Sequence, residues 1–470
     1  MRITKLYIKD YKNLKDFNWD INPDYPISVI VGKNASGKTN LLEAIVNIFQ
    51  QVILHKENPE HSADSVQNTD TDSEFEFAYR YGYNGKDLIE IQKRANHLTV
   101  RRNHEKIPLD KIASPFQTRH GTEKIMPENI FLYYAGISNR FNESLKELNA
   151  QFRFGIRDGK ITGRTVISYE PIHYKAVMLA LLLSPLKDTD EFLARDFGIT
   201  GLREIRIFIG KPRTNDKGDE NSYWEAPAII KSRIDRLRRY ASVKKSERKF
   251  GREKQWNFLF NAEKLGQDAI RDFNYEFGLF QILDSLYVTH YLKGIEICFK
   301  KEGVTQPVEF DQLSEGEKQR LAICGAMEIF RGKETLFLLD EPEAFAHPFW
   351  QWDLVPDLQN GDHKFSQVIV VTHSPIVITT LSANVFIMRD GKISPMNKTF
   401  GLTVDESLAE QNTPYQQTAI ADQVKNYLAL IQEGKARADD ALQMRLNLED
   451  ALGKNHPELR SADDLIALYE

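Results

Sequence analysis

Cysteine is almost missing from the 470 residues: only Cys298 and Cys324 occur. They lie too far apart to share ligand spacing, which excludes a zinc ribbon and argues against a disulfide framework. A reducing, cytoplasmic setting is therefore expected. Long apolar runs are missing too. The richest, Ala176 to Leu183, falls well short of the roughly 20 residues that a bilayer needs. The opening Met1-Arg2-Ile3-Thr4-Lys5-Leu6 carries charge where a secretory leader has its apolar core, so no membrane partner is expected. Nor is there an excess of positive charge: 62 Lys and Arg stand against 67 Asp and Glu, for a net charge of −5. Any nucleic-acid surface has to be local. Sustained heptads are absent between 139 and 300, which rules out long coiled-coil arms.

What the sequence does hold is an interior and a glycine loop. Apolar residues make up 41% and charged residues 27% of the chain, the balance of an ordinary folded protein, and the length suits two or three units. The chain is arranged around Gly32-Lys33-Asn34-Ala35-Ser36-Gly37-Lys38-Thr39, which follows the apolar run Ile27 to Val31 and precedes Asn40-Leu41-Leu42-Glu43-Ala44-Ile45. Strand, glycine loop and helix in that order turn G-x-x-x-x-G-K-T from a pattern into a P-loop. The glycines let backbone N–H groups face a polyphosphate, and the helix starting near Lys38 adds the positive end of its dipole. Lys38 is expected to reach the β- and γ-phosphates and the Thr39 hydroxyl to ligate Mg²⁺. Gly32, Asn34, Gly37 and Asn40 complete the expected nucleotide contacts.

Far downstream, the stretch from Asp311 opens a helix predicted to run to about Arg331, with Ser314 as N-cap and Glu317 three residues on, a capping box. Taken alone this is a well-capped helix. It is followed at once by Thr335-Leu336-Phe337-Leu338-Leu339-Asp340-Glu341-Pro342-Glu343. An apolar run ending in acids describes a buried strand that presents carboxylates at its C-terminal edge, where parallel α/β sheets hold their ligands. Asp340 is placed to orient the Mg²⁺ shell and Glu341 to polarise the attacking water. Val368 to Val371 makes a second all-apolar strand ending in Thr372-His373-Ser374. In this order of segments His373 reads as a γ-phosphate contact rather than a structural histidine.

Together these residues resemble the ABC-type ATPase head, specifically the branch of SMC, RecF-like and OLD proteins. Gly32 to Thr39 matches Walker A, Leu313-Ser314-Glu315-Gly316-Glu317 the signature motif, and Leu336 to Glu341 Walker B. Phe345-Ala346-His347-Pro348 matches the D-loop region, with Phe345-Ala346 as a departure, and His373 matches the switch histidine. The Q-loop glutamine has no evident counterpart. The resemblance covers roughly residues 1–135 and 300–395 and implies a head that binds ATP and Mg²⁺ and hydrolyses ATP through Glu341. It also implies a homodimer in which Ser314 and Gly316 of one copy complete the γ-phosphate site of Lys38 on the other. Relatives carry a short N-[FY]-[RK]-N sequence where Tyr11-Lys12-Asn13 stands, so Lys12 is either a phosphate contact or a solvated lysine.

The expected fold is therefore an α/β P-loop NTPase head, a mixed sheet plus an antiparallel lobe, with a mostly helical insertion and a helical C-terminal tail. Its divisions are 1–138 with Walker A, 139–300 as the insertion, 301–400 with signature, Walker B and His373, and 401–470 as the tail. Strands are predicted over 2–10, 17–21, 74–83, 88–93 and 98–102, with a hairpin signal at Asn84-Gly85, and the polar stretch Glu57 to Asp72 reads as a mobile loop. Within the insertion, His173 to Leu183, Ala226 to Ala241 and Phe273 to Leu292 read as helices, and Glu204 to Ile209 and Gly294 to Lys300 as strands. Lys231 to Lys254 concentrates basic residues, either a solvated face or a surface for nucleic acid or an acidic partner; Arg94, Arg101 and Arg102 are a weaker candidate. The tail helices are marginal alone and are expected to pack on a neighbour.

Full-length OLD proteins carry a Toprim nuclease after the ATPase. Here the tail is too short for one, and neither an H-N-H, a PD-(D/E)xK nor a zinc cluster stands out. The resemblance thus implies an ATPase subunit whose nuclease effector is a separate polypeptide, most like those of anti-phage systems such as Septu, with PARIS second. Two other readings remain: a DNA-repair or recombination ATPase of the RecF type binding DNA directly, and the nucleotide-binding subunit of a membrane transporter. L-S-E-G-E in place of L-S-G-G-Q and the long insertion argue against the latter.

Overall fold

Three apolar runs that never alternate, Ile27–Val31, Thr335–Asp340 and Gln367–Thr372, are buried at every residue, as strands are when both faces of their sheet are covered. The computed structural model describes residues 1–55, 73–82, 85–95, 97–112, 116, 123–136, 140–212, 223–246, 255–261, 267–361, 363–374, 376–377, 384–396, 419–432, 434–453 and 457–469. The predicted loop Glu57 to Asp72 and the turn residue Asn84 lie outside them.

In chain order the strands are β1 (Arg2–Tyr11), β2 (Leu14–Asp20), β3 (Ile27–Val31), β4 (Phe75–Tyr81), β5 (Asp87–Arg94), β6 (His97–Arg102), β7 (Glu105–Ile107), β8 (Asn129–Tyr134) and β9 (Val166–Ser168). There follow β10 (Ile199–Gly210), β11 (Ser242–Ser246), β12 (Gln255–Asn261), β13 (Leu292–Lys301), β14 (Val308–Glu309), β15 (Thr335–Asp340), β16 (Gln367–Thr372), β17 (Asn384–Arg389) and β18 (Lys392–Pro395). The helices are α1 (Lys38–His55), α2 (Arg140–Ser144), α3 (Lys146–Arg157), α4 (Pro171–Leu182), α5 (Lys187–Phe197), α6 (Ala228–Arg239), α7 (Gln267–Asp272), α8 (Tyr275–Val288), α9 (Glu315–Ile329) and α10 (Pro348–Gln359). The tail holds α11 (Ala419–Gln432), α12 (Asp439–Leu452) and α13 (Pro457–Tyr469).

The central sheet has seven strands in the order β18-β17-β3-β16-β15-β8-β9. All its pairs are parallel except the hairpin β17-β18, which turns at Asp390-Gly391 as predicted, both with positive φ. Side chains along each strand alternate between two cores. Ile30, Ile130, Leu132, Leu336, Leu338, Ile369 and Val371 enter one with α1 and the antiparallel sheet β2-β1-β4-β5-β6-β7. Val29, Phe131, Phe337, Leu339, Val368 and Val370 enter the other with α4, α8 and α9. Each of these side chains, fully buried, contributes about 1.5–3 kcal/mol of transfer free energy.

The insertion has its expected helices, α4, α6 and α8, and also an antiparallel sheet β11-β12-β10-β13-β14, of which the sequence predicts only β10 and β13. β12, Gln255–Asn261, buries Trp256, Phe258 and Phe260 on one face; its alternation is short and sits beside a charged stretch. The chain divides into two units, Met1–Ser407 and Leu408–Glu470. In the second, α11, α12 and α13 pack on one another around Tyr427, Ile431, Ala441, Leu448, Leu459 and Ala462. The last helix starts at Pro457 rather than at Ser461, since proline is well tolerated in a first helical turn. Among the described residues no helix is long and apolar enough to cross a membrane.

Candidate active site

The P-loop joins β3 to α1 in a space that admits only glycine at its first position. A Cβ on Gly32 would lie 2.4 Å from the Met388 carbonyl oxygen on β17, and Gly37 has φ +109°, where side chains are strained. Lys38 is buried, and its Nζ donates to the carbonyls of Gly32 (2.7 Å) and Lys33 (3.0 Å). Burial lowers its pKa, opposed by the charges of Glu341, Asp340 and Glu343. Asn34 is exposed beside it in the loop.

Those three carboxylates come from the end of β15. Asp340 is 1% exposed, has the Thr39 side chain as its neighbour, and its Oδ2 has no protein partner. Burial pushes its pKa up to about 6, with Glu341 adding to the rise, against the Thr39 hydrogen bond and the charges of Lys38 and Arg140. A buried carboxylate with one open oxygen beside a threonine hydroxyl suits Mg²⁺, which takes one or two carboxylates and fills its shell with water and phosphate. Among the described residues no cluster of three His, Cys, Asp or Glu forms a metal cage.

Glu341 has φ 51°, and its N–H donates to the Val371 carbonyl on the neighbouring strand (2.9 Å). This turns the side chain toward the end of β16, where Oε1 lies 2.9 Å from His373 Nδ1. Glu343 is buried and accepts from the Thr372 hydroxyl. The Ser374 N–H donates to Thr372 Oγ1 (2.9 Å), and Ser374 Oγ to Gln351 (2.9 Å). His373 is thus bracketed by two anchored neighbours, a support the sequence reading missed.

A second missed group surrounds Glu43, the single acid in the run Leu41 to Val46. Lys12 Nζ donates to both its oxygens at 2.8 Å, and Arg140 Nε donates to Oε2 at 2.8 Å. Arg140 Nη2 also donates to Asn40 Oδ1, and Asn40 Nδ2 to Asn13 Oδ1 (2.6 Å). Lys12 is therefore neither a free surface lysine nor turned into the P-loop. The lone acid, four residues after Thr39 and so on the same side of α1, was the available signal. Among the described residues the segment after β8 brings Arg140, not a glutamine, to this group.

The structure brings Lys38, Thr39, Asp340, Glu341 and His373 together and leaves Ser314 in other company. Ser314 is exposed at the start of α9, where its hydroxyl accepts from Glu317 N–H (3.2 Å) and donates to Glu317 Oε2 (2.9 Å). The predicted capping box is present, and Lys301 holds the other Glu317 oxygen at 2.6 Å. A Cβ on Gly316 would lie 3.4 Å from the Phe345 carbonyl oxygen, so the signature turn and the segment after Walker B adjoin.

Three residues of the basic run are engaged in its own fold. Arg233 donates to the Thr162 carbonyl and burial lowers its pKa to about 10. Arg238 donates to the Tyr223 hydroxyl (3.1 Å) and lies over Trp256, and Arg239 pairs with Asp272 at 2.6 Å. Arg248, Lys249 and Arg252 lie outside the described residues. On the early sheet Arg94 pairs with Glu76 and Arg102 with Asp87 and Glu123, while Arg101 donates to Gln92.

A parallel sheet with a P-loop at the end of β3, a histidine at the end of the neighbouring β16 and an acid pair at the end of β15 beyond it defines an α/β P-loop ATPase head. Residues 109–379, more than half the chain, match the family described as "AAA domain, putative AbiEii toxin, Type IV TA system", and the chain belongs to that family. Residues 1–176, which hold the P-loop, match the "AAA ATPase domain". The protein is an ATP hydrolase. It is 22% identical to the Retron Vc95 probable ATPase of Vibrio cholerae serotype O1 biovar El Tor, over 93% of this chain and 84% of that one. It is 20% identical to the Retron Ec83 probable ATPase of Escherichia coli, over 83% and 72%. The SMC head domain from Thermotoga maritima superposes with a TM-score of 0.36 at 15% identity, over 85% of this chain and 100% of that one, too loosely for an argument to rest on.

Proposed function

We propose that this ATPase works as a head-to-head homodimer around ATP and Mg²⁺ and serves as the sensor or regulatory subunit of a prokaryotic anti-phage system that controls a separate nuclease. The observation that carries the catalytic part is the contact of Glu341 with His373 at the adjoining ends of β15 and β16, with Asp340 beside Thr39. The P-loop amides and Lys38 hold the phosphates. Thr39 and Asp340 would hold Mg²⁺, which when bound offsets phosphate charge. Glu341 polarises the attacking water, oriented by His373. The exposed turn at Ser314 and Gly316 is the part a second copy would insert.

The defence role is supported by the two retron ATPases among the relatives; a Septu-like arrangement with a nuclease partner is the finer form of the proposal. The test is to express the chain with its neighbouring genes, challenge the cells with phage, and compare wild type with Glu341→Gln. Protection that is lost in the variant supports the proposal; ATP hydrolysis by the purified protein without any protection removes it.

A further inference from the structure

Arg140 is the first residue of the helix through which the chain leaves β8 for the insertion, yet it bonds to the helix that follows the P-loop. Its guanidinium takes Glu43 through Nε (2.8 Å) and Nη2 (2.6 Å) and at the same time donates to Asn40. Glu43 is 8% exposed at its side chain and shared with Lys12, so the carboxylate is fully paired. Asn40 and Glu43 lie either side of one turn of α1, and Thr39, whose hydroxyl meets Asp340, is the residue before Asn40. Gripping both ends of that turn fixes the roll of α1 and with it the aim of the Thr39 hydroxyl. A planar fork with several donors makes two such bonds at once, whereas a lysine makes one.

We infer that Arg140 is a positioning residue for the Thr39 and Asp340 pair. Acting through Asn40 and Glu43, it sets the affinity for Mg²⁺ in the nucleotide complex and ties the root of the insertion to that site. This rests on the magnesium reading above. The test measures binding of ribose-labelled fluorescent ATP in EDTA and across a MgCl₂ titration, for wild type, Arg140→Lys and Arg140→Ala, with melting temperatures alongside. Arg140→Lys is expected to melt with wild type and to bind within about twofold of it in EDTA, yet to need about tenfold more Mg²⁺ for half-saturation, the usual effect of losing a group that orients a metal ligand. Arg140→Ala shows the same shift or a larger one. An unchanged Mg²⁺ midpoint in both variants, or an equal loss of binding with and without Mg²⁺, overturns the inference. A wild-type protein indifferent to Mg²⁺ would instead remove the magnesium reading beneath it.

Discussion

At the end of β15 two adjacent acids have opposite surroundings: Asp340 is 1% exposed, while Glu341 keeps 36% of its side chain exposed and meets His373. That difference suits one to hold a cation and the other to work on water. Glu341→Gln should leave ATP binding intact and slow single-turnover hydrolysis at least about 100-fold, the low end for loss of a general base; hydrolysis at the wild-type rate would show that Glu341 is not the base. Elsewhere in the interior, Asp284 on α8 is paired with Arg164 and His173. Burial pushes its carboxyl up, but the Arg164 charge and the hydrogen bonds from His173 and Arg164 outweigh it and hold the group well below its ordinary range. A carboxyl depressed in the folded state adds stability that is present above its unfolded pKa of about 4 and lost below it. Asp284→Asn should therefore cost about 3–5 kcal/mol at neutral pH by stranding the buried Arg164. It should also flatten the fall in melting temperature between about pH 5 and pH 3; equal acid sensitivity in both proteins would contradict this. Of these residues the sequence exposed Asp340, Glu341 and His373, because each ends an apolar run. Asp284, Glu43 and Arg140 stayed hidden because Arg140 lies 97 residues from Glu43 and Arg164 lies 120 residues from Asp284.

Among the elements, α9 is the one whose terminus matters most. Its first turn is crowned by Glu317, bound to Ser314 and Lys301, so a carboxylate lies where the helix dipole would favour a phosphate. Glu317→Gln keeps the shape and removes the charge, and should strengthen ATP-dependent association of the protein about fivefold, in the range of one helix-terminus charge. Sedimentation with ATP checks this, and unchanged association would mean that Glu317 does not compete there. β3, β15 and β16 were legible as strands because both their faces are buried, which leaves no polar interruption. β11 and β12 were not, since β11 lies within, and the short β12 directly after, the basic stretch that suggested a binding surface. Once folded, part of that charge serves the insertion itself: Arg238 rests on Trp256 of β12.

For the whole molecule, motifs separated by some 300 residues converge because the parallel order β17-β3-β16-β15-β8 sets the P-loop, His373 and the acid pair at one edge. Ser314 is exposed, and its hydroxyl bonds within its own helix turn to Glu317, the arrangement expected if the proposed second copy supplies its partner. The proposed two-fold dimer would have two sites, each built from the Lys38 of one copy and the Ser314 of the other. Lys38→Ala and Ser314→Arg should each abolish hydrolysis alone, but an equal mixture restores one intact site in every mixed dimer. The decisive measurement is the ATPase rate of that mixture: recovery to roughly a quarter of the wild-type rate is predicted from random pairing, and a mixture no more active than its components, although mixed dimers form, would contradict the shared site.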